Sequence, residues 1–305
     1  QTDELPRRLL VLGAGPIGCE LAQAMARLGS QVTLLTRAPR IMPREDEDVS
    51  EVVRQSFTRQ GIALISNTEP ERFESAGGES VCHLANGDPL PFDALLLAVG
   101  RSANVEDLGL DSLGIGLSTA GRVEVDDFLR TSVPTIFAAG DVAGPYLFTH
   151  MASHQAWYAS VNALFGRLRK FRVDYSIVPW ATFTDPEVAR VGLNEADARD
   201  GDIPFEVTRY DLDDLDRAIA DGETAGFVKV LTRPGSDRIL GATIVGYHAA
   251  ELINEFVLAM KHGIGLNKIL GTIHIYPTLS EANKFLAGQW RKARKPDKLL
   301  SWVER

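Results

Sequence analysis

Three glycines, Gly13, Gly15 and Gly18, stand at G-x-G-x-x-G spacing directly after the apolar run Leu9-Leu10-Val11-Leu12. No other stretch constrains the chain as much. An apolar strand that stops at a glycine and passes straight into a helix opens a nucleotide-binding α/β unit. Gly13 permits the turn, Gly15 lets the backbone approach a pyrophosphate, and Gly18 lets the helix pack closely on the strand. Pro16 and Ile17 begin the helix, whose N-terminus offers unpaired N–H groups and a positive dipole end to phosphates. Ile17, Leu21, Ala24, Met25 and Leu28 then recur with helical period. A second strand at residues 31–35 follows at the expected distance. The spacing predicts dinucleotide binding, against the plainer alternative of a glycine turn in an ordinary α/β domain.

The end of that second strand reads the adenine ribose. An acid there accepts from a 2′-hydroxyl, whereas an arginine pairs with a 2′-phosphate. Thr36 stands where the acid would be and Arg37 follows, with Arg40 and Arg44 near enough to help. No carboxylate competes before Glu45. The pattern favours NADPH, with NADH the alternative. The plainer reading makes these arginines a solvated face balancing the acidic residues 45–51.

A chain of 305 residues, 45% of them hydrophobic, has room for about two to three domains with real cores. A net charge of −9 argues against a nucleic-acid surface. No apolar run of about 18 residues occurs, so no membrane span is expected. Cys19 and Cys82, the two cysteines, suit a reducing compartment and a cytoplasmic location. Each reads as a small core residue, although a helix N-terminus beside Cys19 would lower its pKa. No metal-ligand spacing is present.

Further along, Val49, Val52, Val53 and Phe57 share one face of a helix that Gly61 ends, and residues 62–65 read as a strand. Residues 81–99 are strand-like, with Asn86-Gly87 as a hairpin turn and 94–99 as a buried strand ending in Ala98-Val99-Gly100-Arg101. Residues 123–126 and 131–141 follow, the latter read as a strand ending in Gly140-Asp141. Residues 150–164 read as a helix. From Val178 short strands at 180–184, 188–192, 205–210, 227–231 and 239–245 precede a helix over 249–262. That helix carries Leu252, Ile253, Phe256, Val257 and Met260 on its apolar face. A last helix from Ser280 carries Ala282, Phe285, Leu286 and Trp290. This is an antiparallel sheet with helices. Residues 291–298 form a basic tail, read as a solvated helix end, the alternative being a partner contact.

Gly13-x-Gly15-x-x-Gly18-x-Glu20, Ala98-Val99-Gly100-Arg101, Thr135-x-Phe137-Ala138-Ala139-Gly140-Asp141 and Pro277-Thr278-Leu279-Ser280-Glu281 occur in that order. Together they resemble the flavin-dependent pyridine nucleotide–disulfide oxidoreductases, a family that includes dihydrolipoamide dehydrogenase, glutathione reductase and mercuric reductase. The resemblance covers essentially the whole chain. It implies an α/β architecture: a Rossmann-like NAD(P)-binding domain over 1–100, the C-terminal part of an FAD-binding domain over 101–172, and an α+β dimerisation domain over 173–305. It also implies that Glu20 and Ala98, Val99, Gly100 and Arg101 frame the nicotinamide end. Asp141 would hold the flavin ribityl chain, with Thr149 near the flavin, and the chain would form a homodimer. Trp180, Phe256 and Trp290 are expected at its interface, the alternative being that they form the domain's own core.

Two departures from the family pattern stand out. A second G-x-G-x-x-G for the flavin and a C-x-x-x-x-C redox pair are both missing from this sequence. And where disulfide-reducing members carry a histidine before Pro-Thr, this chain has Tyr276, with Glu281 retained and His274 two residues earlier. These three are the candidate catalytic residues, and the tyrosine tilts the resemblance toward mercuric reductases. The expectation is the C-terminal two-thirds of a longer enzyme passing hydride from NADPH to FAD and on to a disulfide or other acceptor. The alternative is a catalytically inactive nucleotide-binding and dimerisation fragment.

Overall fold

The computed structural model describes residues 4–85 and 87–294. Two compact units are present. One joins the stretch up to Val99 with the stretch from Ile177 onward; the other is Gly100–Ser176.

The first stretch opens with β1 (Arg8–Leu12), α1 (Pro16–Arg27), β2 (Gln31–Leu35), α2 (Glu47–Arg59) and β3 (Ala63–Ile65). A meander of β4 (Pro70–Ala76), β5 (Glu79–Leu84) and β6 (Pro89–Phe92) leads to β7 (Ala94–Leu97). β1, β2, β3 and β7 form a parallel sheet in the order β3-β2-β1-β7. Leu9, Val11, Val32 and Leu34 are buried beneath α1 and α2, as strands covered on both faces require. Strand β4 was not expected from the sequence; half of its Pro-Glu-Arg-Phe-Glu-Ser pattern is charged, and it lies on the edge of the meander. Gly87, in the expected hairpin, has φ +91°; Asn86 lies outside the described residues.

Two expectations need correction. β7 is not a buried strand: among the described residues it is an edge strand pairing only with β1, and Leu97 and Val99 are 64% and 75% exposed. Helix α1 forms as expected, but its Ile17, Leu21 and Leu28 are exposed, and Gly18, Cys19, Ala22 and Gln23 face inward. Close approach of the start of the helix to the sheet favours the small Gly18, Cys19 and Ala22 there, which periodicity of large apolar residues does not reveal.

The second unit has a helix, α3 (Thr149–Phe165), where expected. The expected strand over 131–141 is absent, and 123–126 forms none either. Extended backbone counts as a strand only when a neighbour completes its ladder. Among the described residues these segments make only the isolated bridges Leu117–Val123 and Arg130–Phe137.

From Ile177 the chain rejoins the first unit with β8 (Pro179–Thr182), β9 (Glu187–Gly192), α4 (Glu195–Asp200), β10 (Glu206–Asp211), α5 (Asp216–Asp221), β11 (Phe227–Thr232) and β12 (Ile239–Gly246). The antiparallel order is β10-β11-β12-β9-β8. Helices α6 (Ala249–Leu252) and α7 (Asn254–Lys261) replace one expected helix; α8 (Leu266–Gly271) and α9 (Glu281–Lys292) follow. Phe256 and Trp290 are 0% and 4% exposed within the core on this sheet, and Trp180 is half-buried. Phe256 and Trp290 are core residues, correcting their expected place at an interface; Trp180 belongs to no core cluster. The tail residues 295–298 lie outside the described residues. A shared cluster in which Val11, Cys19 and Val53 join Val188, Phe227 and Val245 unites the two stretches.

Candidate functional site: a nucleotide loop and its arginines

Gly13 has φ +101°, and its N–H donates to the Leu35 carbonyl at 2.9 Å. A Cβ there would lie 2.4 Å from the Ala98 carbonyl oxygen, and one at Gly18 would lie 1.8 Å from the Gly13 carbonyl oxygen. Both glycines are therefore required by the fold itself. Gly15 differs: it has φ −75°, and a Cβ there would meet nothing within 4 Å. The space beside it is open. Helix α1 starts at Pro16 with no side-chain cap and no acid in its first turn. Its positive end thus faces outward at Pro16 and Ile17, both exposed. The residues present fit a dinucleotide phosphate.

The loop after β2 lies against this turn. Thr36 is buried and accepts from the Ala38 N–H at 3.1 Å through its hydroxyl. The Met42 N–H donates to the Ala14 carbonyl at 2.7 Å, tying the arginine loop to the glycine loop. Arg37 and Arg44 are exposed, and neither guanidinium has a hydrogen-bond or ion-pair partner among the described residues. Arg40 is half-buried and donates to the Glu45 carbonyl at 3.1 Å, so it braces the loop.

The acidic run does not balance these arginines. Glu45 meets Arg190 at 3.1 Å and accepts from the Trp180 indole N–H at 3.1 Å. Burial nevertheless pushes its pKa up, against the pull of Arg190. Asp46 and Asp48 each lie 2.8 Å from the Lys229 ammonium. Sequence reading missed Arg190 and Lys229; their only signal is a cation in a strand otherwise made of core residues, 4% and 1% exposed.

Glu20, half-buried, accepts from the Phe183 backbone N–H at 2.8 Å. Ala98 donates its N–H to the Leu12 carbonyl at 2.8 Å, which fixes the start of the 98–101 loop. Cys19 is buried, and burial pushes its thiol up to about 12. This corrects the lowered value expected at a helix N-terminus: desolvation outweighs the dipole.

In the second unit, Arg101 lies 3.0 Å from Asp141 and also donates to the Leu147 carbonyl at 2.5 Å. Asp141 occupies a 3₁₀ turn over Gly140–Val142, and Thr149 is the first residue of α3. Gln155, fully buried, holds that turn: it accepts from the Gly140 N–H at 2.6 Å and donates to the Gly144 carbonyl at 2.7 Å. Its sequence signal is the buried stripe Met151, Gln155 and Asn162 on α3.

Near the end of the chain, Tyr276 and Glu281 line one cavity of about 360 Å³ with Tyr210, Asp216 and Phe285. The Tyr276 hydroxyl donates to Asp216 at 3.0 Å, which raises its pKa. Glu281 accepts from the Thr278 N–H at 3.1 Å. His274 is placed elsewhere: its ring nitrogens face Glu255 at 3.0 Å and the Thr272 carbonyl at 3.1 Å. The segment is not a regular strand, so Ile275 and Tyr276 are both exposed and His274 is turned inward. Among the described residues no group of three or more potential ligands is placed to hold a metal ion. No helix among them is long and apolar enough to cross a membrane.

Residues 1–156 match the family described as pyridine nucleotide-disulphide oxidoreductase, and residues 178–287 match its dimerisation domain. The chain is 37% identical over 278 residues to dihydrolipoyl dehydrogenase of Chlamydia muridarum, covering 91% of this chain and 59% of that protein. It is 34% identical over 286 residues to mercuric reductase of Acidithiobacillus ferrooxidans, covering 94% of this chain and 51% of that protein. The chain thus spans between half and two-thirds of the length of these relatives. Among solved structures, the HOCl-induced flavoprotein disulfide reductase RclA of Escherichia coli superposes with a TM-score of 0.86 at 30% identity, covering 94% of this chain and 66% of that one.

Proposed function

The chain belongs to the pyridine nucleotide-disulphide oxidoreductase family, and from that premise we propose that it grips NADPH for a flavin-dependent transfer of reducing equivalents. The observation that carries this reading is the pair of unpartnered guanidiniums, Arg37 and Arg44, on a loop tied to the open turn at Gly15. A 2′-phosphate is the partner such groups are suited to, and a carboxylate selective for a 2′-hydroxyl is absent from Thr36. The amides after Gly15 take the pyrophosphate. Glu20 and residues 98–101 lie at the nicotinamide end. NADH remains the competing cofactor, and the preference for NADPH rests on Arg37 with Arg44.

Bound FAD supplies the two-electron relay between nicotinamide and acceptor. Asp141, exposed at its turn, and Thr149 at the head of α3 are the residues suited to hold it. Arg101 braces Asp141 and leaves its other carboxylate oxygen for a ribityl hydroxyl. The overall exchange converts NADPH, a proton and a disulfide to NADP⁺ and two thiols, or delivers two electrons to another acceptor. Tyr276, held to Asp216, keeps its proton and acts as a hydrogen-bond donor, with Glu281 beside it, at the acceptor side of a homodimer. The exposed Leu258, Ile273, Ile275 and Phe285 supply apolar surface for that pairing. Two buried, unpaired cysteines fit a reducing, cytoplasmic setting.

The same cysteines favour a second reading. Neither is placed to accept electrons, so this stretch by itself binds the nucleotide and dimerises without turning over a disulfide.

Retention on immobilised 2′,5′-ADP tests the first step. Release by NADPH but not by the same concentration of NADH is expected; passage through the column unretained would contradict it.

A further inference from the structure

The arginine loop is held at its far end by residues 150 positions away in sequence. The Nδ2 of Asn194 donates to the Arg44 carbonyl at 2.9 Å, and Arg190 reaches the same oxygen at 3.4 Å. Both side chains are buried, at 1% and 4% exposure. The grip is reciprocal. Asp46 accepts from the Glu195 and Ala196 N–H groups at 3.2 Å each, capping α4, while Asn194 accepts from the Asp197 N–H at 2.7 Å. Arg190 is itself fixed by Asp197 at 2.5 Å and by stacking 4.3 Å over the Trp180 ring.

This grip bears on a strained turn. Met42 adopts φ +46°, a left-handed conformation that a residue with a side chain takes only when its surroundings enforce it. Its N–H bonds the glycine loop, Ile41 and Met42 are buried, and the Ser50 hydroxyl donates to the Ile41 carbonyl at 2.8 Å. Arg44 lies two residues beyond. Loss of the hold on its carbonyl frees the strained turn to relax, and the spacing of Arg37 and Arg44 about a ligand changes with it.

We propose that Asn194, supported by Arg190, is a positioning residue for nucleotide selection: gripping the Arg44 carbonyl, it presets the two guanidiniums for a 2′-phosphate. This rests on the assignment of Arg37 and Arg44 to that phosphate. Asn194 touches no part of the nucleotide and acts through the loop. It discriminates between phosphorylated and unphosphorylated riboses without strengthening the hold on adenosine itself.

Titration calorimetry with 2′,5′-ADP and with 5′-AMP tests it on the parent chain and on Asn194→Ser, which keeps an N-cap oxygen for α4 but is a bond shorter and loses the amide N–H that reaches Arg44. The expected result is a parent ratio favouring 2′,5′-ADP by about tenfold or more, cut at least about fivefold in the variant, with 5′-AMP affinity within about twofold. A merely structural role would weaken both ligands alike and leave the ratio intact. Asn194→Asp, which keeps the cap and sets a carboxylate against the Arg44 carbonyl, serves if the serine variant fails to fold and should lower the ratio further. An unchanged ratio in a folded variant overturns the positioning role alone. A parent chain that binds both ligands equally overturns the phosphate assignment, and this role with it.

Discussion

The Lys229 ammonium lies 2.8 Å from Asp46, joining β11 in the later stretch of the first unit to the loop that precedes α2 in the earlier one. Lys229 also meets Asp48 and Glu195, and its side chain is 1% exposed. Removing the cation leaves the buried Asp46 carboxylate without its counter-ion, so Lys229→Met is expected to lower stability by about 3 kcal/mol. Chemical denaturation of the two proteins measures this. A variant as stable as its parent would show that the carboxylates are hydrated.

The pH dependence follows from the same pair. Burial opposes ionisation of Asp46, but Lys229 and the backbone amides of Glu195 and Ala196 outweigh it, so its pKa falls below 3.8. A depressed carboxylate stabilises the fold above its unfolded pKa and loses that contribution as pH falls through the folded value. Lys229 has the opposite sign: its pKa is raised above 10.5 despite burial, through Asp46 and Asp48, so its contribution is lost only as pH rises through that higher value. Tm measured against pH should show Asp46→Asn furthest below the parent at neutral pH, with the gap closing below about pH 3.8. A constant gap would contradict the linkage.

The three glycines of the loop should separate by substitution. Gly18→Ala places a Cβ 1.8 Å from the Gly13 carbonyl oxygen and is expected to prevent normal folding. Gly15→Ala meets nothing within 4 Å and has an ordinary φ, so its circular dichroism and Tm should match the parent. Its nucleotide affinity should nevertheless drop about tenfold or more, because the methyl fills the phosphate's space. Full affinity in Gly15→Ala would move the pyrophosphate elsewhere.

Much of this was legible in the sequence, and the failures share a cause. The strand–glycine–helix opening, α2, α3, α9 and the five strands after residue 178 follow from local pattern and turn residues. The buried status assigned to residues 94–99 and the strand assigned to 131–141 failed because both depend on which neighbours a strand acquires, a property no local pattern contains. Trp180, Phe256 and Trp290 were ambiguous for the same reason: a large apolar residue fits a core or an interface equally until its packing is known. The glycines and Arg37 were found by spacing. Asn194 and Arg190 act on a backbone carbonyl about 150 positions away, a contact that no local pattern contains.

Both thiols should be inert. Burial raises Cys19 to about 12 and pushes Cys82 up as well. A thiol-specific disulfide reagent at pH 8 should label neither cysteine in the native protein and both after denaturation. Rapid native labelling of Cys19 would show that the helix dipole prevails after all.

Tyr276 should behave as a donor. Its hydrogen bond to Asp216 raises its pKa above 10, so it retains its proton at neutral pH and cannot serve as a base. Tyr276→Phe should lower the tyrosinate absorbance at pH 10 by less than half of one tyrosine's share. A fall by one tyrosine's worth would mean that Tyr276 ionises ahead of the others, and that Asp216 does not hold it.

The central claim is a phosphorylated adenine dinucleotide held at residues 13–18 and selected by Arg37. Calorimetric titration of the folded chain with NADPH and NADH, repeated on Arg37→Glu, tests it most directly. The parent should bind NADPH about tenfold or more tightly than NADH, and the glutamate variant should reverse the order. No binding heat from either dinucleotide, or a preference untouched by Arg37→Glu, would contradict the account.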